Sequence, residues 1–185
     1  MLNVPNSITL LRIFCVPVFL SVVSREDYRL ALVIFVIAGI TDSIDGAIAR
    51  LTNTRTDLGA HLDPLADKLL LVSSYIALGI LGAVPIQLMI LVIVRDTVIL
   101  GGFLLSGALV GRYMEMAPSA WGKLTTFLQL LTVTSVLLVR GLWVSVDASI
   151  LTAVFLLTGV ATVISGVDYV LQGARWYQES TPPAS

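Results

Sequence analysis

The chain has 185 residues, of which 57% are hydrophobic and 12% charged, and its mean hydropathy is +0.95. Soluble domains carry about 25% charged residues, so this composition excludes an ordinary soluble protein and predicts an integral membrane protein. The formal net charge of −1 provides no basic surface field, and we therefore expect no nucleic-acid partner.

Apolar runs account for most of the chain. A spanning helix needs about 20 apolar residues, so the length allows about six of them. We therefore expect an all-α integral membrane protein with six transmembrane helices, preceded by a short N-terminal interfacial segment at Asn3–Ser7. The expected helices run approximately over Ile8–Val23, Arg29–Leu51, Asp57 or Gly59 to Leu81, Ile86–Val110, Ala120–Val139 and Ile150–Leu171.

Turn-forming and polar residues divide the chain. Gly79, Gly82 and Pro85 predict a tight turn between the third and fourth helices. The C-terminal sequence QGARWYQESTPPAS is polar and rich in proline. We therefore expect a single membrane domain over residues 1–178 and a disordered tail over residues 179–185.

The basic residues predict an orientation. With the N-terminus in the cytoplasm, the cytoplasmic side collects Arg12, Arg50, Arg55, Arg112, Lys123 and Arg175. The opposite side then carries only Arg25, Arg29 and Arg140 among the basic residues near helix ends. The positive-inside rule favours this orientation, and a bacterial inner membrane is the expected setting.

An acidic stretch, Asp42–Lys68, separates two of the apolar runs and holds five of the twelve acidic residues. Carboxylates inside a membrane are costly and therefore indicate function. Four of them are spaced by three or four residues, so each pair projects from one face of its helix. Two pairs that face each other form a four-carboxylate cage, which suits Mg²⁺ or Mn²⁺. The four carboxylates belong to Asp42, Asp45, Asp63 and Asp67.

Small residues and one arginine accompany these carboxylates. Gly46, Ala49 and Gly59 remove side-chain bulk, which leaves space for a ligand to approach the backbone. Arg50 lies one turn beyond Gly46, where a guanidinium can bind a phosphate oxygen. Acids for metal, small residues for access and an arginine for phosphate are typical of a nucleotide diphosphate site, opening to the cytoplasm in the expected orientation.

Two other interpretations apply to parts of this pattern. Gly and Ala at helical spacing are typical of close helix packing in membranes. An intramembrane Asp is also typical of proton or ion pathways, so a membrane cation transporter is an alternative function. A structural membrane protein is a third class. None of these explains all the spacings together.

The pattern is Asp42-x2-Asp45-Gly46-x2-Ala49-Arg50-x8-Gly59-x3-Asp63-x3-Asp67, and it resembles the complete signature of the CDP-alcohol phosphotransferase family. The resemblance also covers the six-helix layout. It implies a homodimer that binds CDP-diacylglycerol at the cytoplasmic boundary, with two divalent cations, Mg²⁺ or Mn²⁺, in each protomer.

The resemblance also implies roles for individual residues. Asp42, Asp45 and Asp63 become metal ligands, and Asp67 becomes both a metal ligand and the base that deprotonates the acceptor hydroxyl. The small residues and Arg50 then surround the CDP moiety. The hydroxyl attacks the β-phosphorus and CMP leaves.

Further segments resemble the branch of the family that makes phosphatidylglycerophosphate and cardiolipin. They are Asn3-Val4-Pro5-Asn6-x2-Thr9-x2-Arg12, Leu62–Lys68 and Gly122-Lys123-x2-Thr126-x2-Gln129. Within that branch, phosphatidylglycerophosphate synthases usually have Arg-Glu in place of Arg95-Asp96 and a second Lys in place of Thr125. Both differences resemble cardiolipin synthases, and a missing Lys weakens a pocket for a small dianionic phosphate. The sequence therefore favours phosphatidylglycerol as acceptor over glycerol 3-phosphate.

Two basic residues are candidates for the acceptor site. Arg95 either binds the acceptor or only neutralises the adjacent Asp96 inside the bundle. Lys123 either binds the acceptor's phosphate or serves as a basic anchor at the cytoplasmic boundary. At the C-terminal end, Asp168 and Tyr169 are expected to form a buried hydrogen-bonded pair.

Overall fold

The computed structural model describes residues 4–52, 57–110, 119–143 and 146–180. For some of these residues only the helical backbone is described, namely 4–13, 42–52, 57–67, 104, 107–110 and 179–180.

Six α-helices make up the described part of the chain, which contains no β-strand. They are α1 (Val4–Ser24), α2 (Tyr28–Thr52), α3 (Asp57–Ile80), α4 (Ile86–Val110), α5 (Ala120–Leu142) and α6 (Ala148–Ser180). Within α4, α5 and α6, the segments Ile86–Phe103, Ala120–Leu142 and Ala148–Gln178 are long and apolar enough to cross a membrane. The described apolar parts of the other three helices are shorter: Phe14–Ser24, Tyr28–Thr41 and Lys68–Ile80. The predicted all-α, six-helix fold is confirmed.

Helix ends differ from the prediction at both termini of the chain. Helix α1 already begins at Val4, so positions 4–7 continue its backbone and do not form a separate segment. Helix α6 continues to Ser180, nine residues past the expected end and two residues into the expected tail. Its 33 residues extend about 50 Å at 1.5 Å per residue, which exceeds the roughly 30 Å hydrocarbon layer. Residues 181–185 of the expected tail lie outside the described part.

Asp147 caps the start of α6. The Ser149 N–H donates a 3.0 Å hydrogen bond to Asp147 Oδ1, which satisfies one of the free N–H groups in the first turn. This backbone hydrogen bond holds the pKa of the Asp147 carboxyl below its usual value. The cap explains why α6 begins two residues before Ile150.

The helices pack as a bundle in which α3 and α5 are central. Helix α1 packs against α2 and α3, and α5 packs against α2, α3 and α6. Helix α4 packs against α3 on one side and α6 on the other. The apolar core lies among α1, α2, α3, α4 and α5, and its largest fully buried apolar side chains are Tyr75, Phe19, Leu78 and Leu137.

A buried polar seam joins α5 to α6. We define it by five buried side chains: Thr125, Gln129, Thr132, Thr158 and Thr162. The hydroxyls of Thr132 and Thr158 share a 2.8 Å hydrogen bond, and the Thr125 hydroxyl donates to the Ala161 carbonyl at 2.8 Å. Hydroxyl contacts of this kind hold helices together in a membrane, where apolar surfaces alone give little driving force for association.

Large apolar side chains cover the outside of the bundle. Among the most exposed are Ile80, at 76%, and Phe14, Leu156 and Phe127. A soluble monomer rarely exposes contiguous apolar surface on this scale. With the spanning helices, this surface identifies the protein as a membrane protein.

The predicted turn between α3 and α4 is present. Gly82 adopts φ = +64°, which a residue with a Cβ rarely tolerates. The N–H groups of Ala83 and Val84 both donate to the Leu78 carbonyl, at 2.8 and 3.1 Å, and close the end of α3. Arg140 at the end of α5 donates to the Gly82 carbonyl at 3.4 Å.

Gly141 marks the closest approach of α5 to the start of α2. A Cβ at this position would lie 2.8 Å from Tyr28 C and from Arg29 N. We expect Gly141→Ala to lower the free energy of unfolding by about 1–3 kcal/mol, since the backbone of α2 must move. Gly101→Ala is the control, because its Cβ would meet nothing within 4 Å. Unfolding in detergent micelles measures both, and equal stability of the two variants would contradict the close packing.

Candidate active site

The four predicted metal ligands belong to two helices. Positions 42 and 45 fall in the second half of α2, and positions 63 and 67 fall in the first half of α3. The side chains of all four, and of Gly46, Ala49, Arg50 and Gly59, lie outside the described part of the structure. The four-carboxylate cage and the CDP site therefore stay predictions.

The surroundings of α2 and α3 are described. Helices α1 and α5 each pack against both of them, so the two acid-bearing helices share the same neighbours. The residues with described side chains include no cluster of three or more His, Cys, Asp or Glu that could hold a metal ion.

A charged cluster begins one residue after Asp67. Lys68 Nζ lies 2.7 Å from Asp96 Oδ1, and Arg95 NH1 lies 2.6 Å from the same oxygen. Arg95 and Asp96 are almost fully buried, at 8% and 7% exposure, while the Lys68 side chain is 38% exposed. We call these three residues the charged triad. It joins α3 to α4 beside the position of the predicted base.

Arg95 extends the triad to α6. Its NH2 donates to Ser165 Oγ at 2.9 Å, and two glycines lie close to the Arg95 side chain. A Cβ on Gly122 of α5 would lie 3.7 Å from Arg95 NH2, and one on Gly166 would lie 3.7 Å from Arg95 Cγ. Arg95 Nε is buried and has no hydrogen-bond partner among the described residues.

The triad carries a net positive charge. Arg95 pairs with Asp96 as expected, and Asp96 also pairs with Lys68. Binding of the acceptor by Arg95 stays a prediction. Two cations share one carboxylate, so one positive charge is left uncompensated within the triad. Lys68 was not recognised as a partner from the sequence, although a Lys at the start of an apolar run requires an anion or water nearby.

Lys123 and Thr125 differ in their surroundings. Lys123 is exposed at the start of α5 and forms no ion pair with any residue whose side chain is described. Thr125 is fully buried in the polar seam. Position 125 therefore supplies a helix contact and no charge.

The expected hydrogen bond between Asp168 and Tyr169 is wrong, because Asp168 pairs with a different residue. Asp168 is only partly buried, and its Oδ2 accepts a 2.9 Å hydrogen bond from Gln172 Nε2, one turn further along α6. The i, i+4 spacing brings these two side chains together on one face of the helix.

The triad predicts unequal effects of removing its members. We expect Asp96→Ala to destabilise the protein by about 3–5 kcal/mol, because it leaves Arg95 buried without a counter-ion. Lys68→Met should cost about 1 kcal/mol or less, since Lys68 is partly exposed and Asp96 keeps Arg95. Urea unfolding in micelles, with Asp168→Asn as control, measures the difference. A loss of similar size for Lys68→Met and Asp96→Ala would contradict the shared-carboxylate arrangement.

Comparison with known proteins identifies the family. The family model described as CDP-alcohol phosphatidyltransferase matches residues 2–165. A probable phosphatidylglycerophosphate synthase of Mycobacterium tuberculosis is 37% identical over 180 residues, covering 94% of this chain and 82% of that protein. A CDP-diacylglycerol--glycerol-3-phosphate 3-phosphatidyltransferase of Bacillus subtilis is 33% identical, covering 91% of this chain and 94% of that protein.

A probable cardiolipin synthase (CMP-forming) of Drosophila melanogaster is 31% identical, covering 92% of this chain and 57% of that protein. The relatives thus include both kinds of synthase that the sequence resembles. Since the family model and these similarities extend over most of the chain, this membrane protein is an enzyme that belongs to the CDP-alcohol phosphatidyltransferase family.

Proposed function

We propose that the enzyme transfers the phosphatidyl group of CDP-diacylglycerol to a hydroxyl of phosphatidylglycerol and so forms cardiolipin. The acceptor oxygen bonds to the β-phosphorus, the bond from that phosphorus to the bridging oxygen breaks, and CMP leaves. The observation that carries the proposal is the complete eight-residue signature, which spans α2 and α3 in a chain of this family.

The donor set suits hard divalent cations. Asp42, Asp45, Asp63 and Asp67 offer only carboxylate oxygens, the ligands that Mg²⁺ and Mn²⁺ prefer. We propose these four as ligands of two cations per protomer. When bound, Mg²⁺ or Mn²⁺ supplies positive charge to the oxygens of the diphosphate.

The other roles proposed for signature residues are binding of the nucleotide and removal of the proton from the acceptor hydroxyl. Arg50 binds a phosphate oxygen, while Gly46, Ala49 and Gly59 leave room for the CDP moiety to approach the helices. Asp67 takes the proton from the acceptor oxygen as the new P–O bond forms. A carboxylate with an ordinary pKa near 4 is a weak base toward an alcohol. The proposed contribution of Asp67 to catalysis therefore comes from its position beside the reacting oxygen.

The absence of a lysine at position 125 supports phosphatidylglycerol as acceptor. A phosphodiester lipid carries one negative charge, whereas glycerol 3-phosphate carries about two near neutral pH. The charged triad has one uncompensated positive charge, and Thr125 adds none because it is buried in the polar seam. We propose Arg95, and Lys123 nearer the helix end, as the acceptor-binding cations.

Glycerol 3-phosphate is the second candidate acceptor. It is favoured by the names of two relatives that match over most of their length, a probable phosphatidylglycerophosphate synthase and a glycerol-3-phosphate 3-phosphatidyltransferase. With that acceptor the same residues would make phosphatidylglycerophosphate. The two candidates share donor, leaving group and base.

The proposed setting follows from the sequence. The positive-inside rule supports a multi-pass protein of a bacterial inner membrane with the active site facing the cytoplasm. Family resemblance supports a homodimer. A membrane cation transporter, the alternative from another class, would move metal ions into vesicles without releasing CMP.

Replacement of the proposed base should separate binding from turnover. We expect Asp67→Asn to keep CDP-diacylglycerol binding and to lower the rate of CMP release by about 10²–10⁴-fold, the usual range for general base catalysis. Asp57→Asn is a matched control, since Asp57 lies in the same acidic stretch but outside the signature. CMP release at the wild-type rate by purified Asp67→Asn protein would refute the assignment.

The acceptor is tested by product analysis. Purified protein receives CDP-diacylglycerol, Mg²⁺ or Mn²⁺, and either phosphatidylglycerol or glycerol 3-phosphate, and the lipid product is identified by mass spectrometry. We expect cardiolipin from the first mixture and little product from the second. Phosphatidylglycerophosphate without cardiolipin would establish the second candidate and refute the first.

A further inference from the structure

An open apolar groove runs between α4 and α6 on the outside of the bundle. It consists of two adjoining hollows of about 500 and 350 Å³ that share Leu91 and Val163. The walls are almost entirely aliphatic and aromatic. Along α6 the groove extends from Phe155 to Leu171, which is about 24 Å at 1.5 Å per residue.

Among the residues with described side chains, one charged residue, Arg95, lines this groove. Arg95 forms part of the smaller hollow, opposite Gly166. Its side chain is more than nine-tenths buried, and its Nε has no hydrogen-bond partner among the described residues. A buried donor without an acceptor is costly, and Arg95 also belongs to a triad with net positive charge. Because Nε is covered, an anion would meet it only when the side chain shifts towards the hollow. The net positive charge favours an anionic ligand at this point of an otherwise apolar surface.

The shape and depth of the groove fit a lipid chain. Helices α4 and α6 both contain segments able to span a membrane, so the groove opens towards the hydrocarbon layer. Its length of about 24 Å exceeds the thickness of one leaflet, about 15 Å, which is half of the hydrocarbon core. An acyl chain lying along it would bury apolar surface, while an anionic group on the same molecule could reach Arg95.

The position of the groove distinguishes the acceptor lipid from the donor. Three of the four proposed nucleotide-binding positions, 46, 49 and 50, belong to α2, which packs against α1 and α5 in the described structure, and the fourth, 59, belongs to the first turn of α3. Helix α4 packs instead against α3 and α6. In phosphoryl transfer the attacking and leaving oxygens lie roughly in line on opposite sides of the phosphorus. With CMP leaving on the α2 side, the acceptor approaches from the α4 side.

We propose that the groove between α4 and α6 binds an acyl chain of the acceptor, an anionic phosphodiester lipid, with Arg95 facing the lipid's phosphate. This inference rests on the proposed function and extends it, since it assigns the acceptor a binding surface within the membrane. The acceptor lipid in this proposal is phosphatidylglycerol.

Photocrosslinking tests the groove without requiring turnover. The full-length protein is reconstituted in phosphatidylcholine vesicles with phosphatidylglycerol, phosphatidylcholine or CDP-diacylglycerol probes that carry the same diazirine-labelled acyl chain. Labelled peptides are then mapped by mass spectrometry. We expect the phosphatidylglycerol probe to label the groove segments of α4 and α6 about tenfold more than the phosphatidylcholine probe, the preference that one charge-assisted hydrogen bond can give.

Two pairs of variants sharpen the test. Val163→Trp fills the part shared by both hollows, and Leu157→Trp is the matched control because Leu157 is exposed on α6 and does not line the groove. Both positions are at least 48% exposed, so neither change disturbs the core. We expect only Val163→Trp to reduce labelling by phosphatidylglycerol, by about tenfold. Arg95→Gln should abolish the preference over phosphatidylcholine, and Arg95→Lys should retain most of it.

The possible outcomes separate this inference from the proposed function. Selective labelling by phosphatidylglycerol in a protein that forms no cardiolipin would support the groove and refute the proposed function. If Val163→Trp protein forms cardiolipin with an unchanged KM for phosphatidylglycerol, the proposed function is supported and the groove is refuted. Labelling by CDP-diacylglycerol in place of phosphatidylglycerol, equal labelling by all three probes, or crosslinks to a second copy of the chain across the groove would each overturn the inference.

Discussion

A single carboxylate, that of Asp96, contacts two cations, Arg95 of the same helix and Lys68 of α3, and so links α4 to α3. Apolar contacts between membrane helices are weakly directional, whereas the 2.7 Å contact between Lys68 Nζ and Asp96 Oδ1 pairs one position of α3 with one position of α4. Removing charges from water is costly unless they are closely paired. Because Lys68 directly follows the proposed base, this pairing also fixes the part of α3 on which the chemistry would occur.

Helix α3 has different neighbours on its two sides. On one side, α1 and α5 contact both α2 and α3. Three of the four proposed nucleotide residues, Gly46, Ala49 and Arg50, belong to α2, and the fourth, Gly59, belongs to α3. On the other side, α4 contacts α3 and α6. Phosphoryl transfer needs a leaving group and a nucleophile on opposite sides of the phosphorus. A base on the helix between the two sides meets that requirement without a long loop or a separate domain.

The fold could be predicted from the sequence wherever local signals mark helix ends. Ile86, Val110 and Ala120 were predicted as helix ends because Pro, Gly and polar residues interrupt the hydropathy there. The end of α6 was placed too early because hydropathy falls at Gln172 while nothing breaks the helix before Ser180. The pair of Lys68 and Asp96 was missed, since the partners are 28 positions apart and only tertiary packing brings them together. The carboxylate motif itself was predicted from its spacing alone.

The depth of Arg95 bears on which acceptor the site can use. It lies nine residues into α4, about 14 Å along the helix axis, and its guanidinium donates to Ser165 near Gly122 of α5. A dianion arriving from water would have to lose much of its hydration to reach such a buried donor. A phosphodiester lipid already resides in the membrane and can approach sideways along α4 and α6. The burial that makes Arg95 costly to the fold thus favours a membrane-resident acceptor over a soluble one.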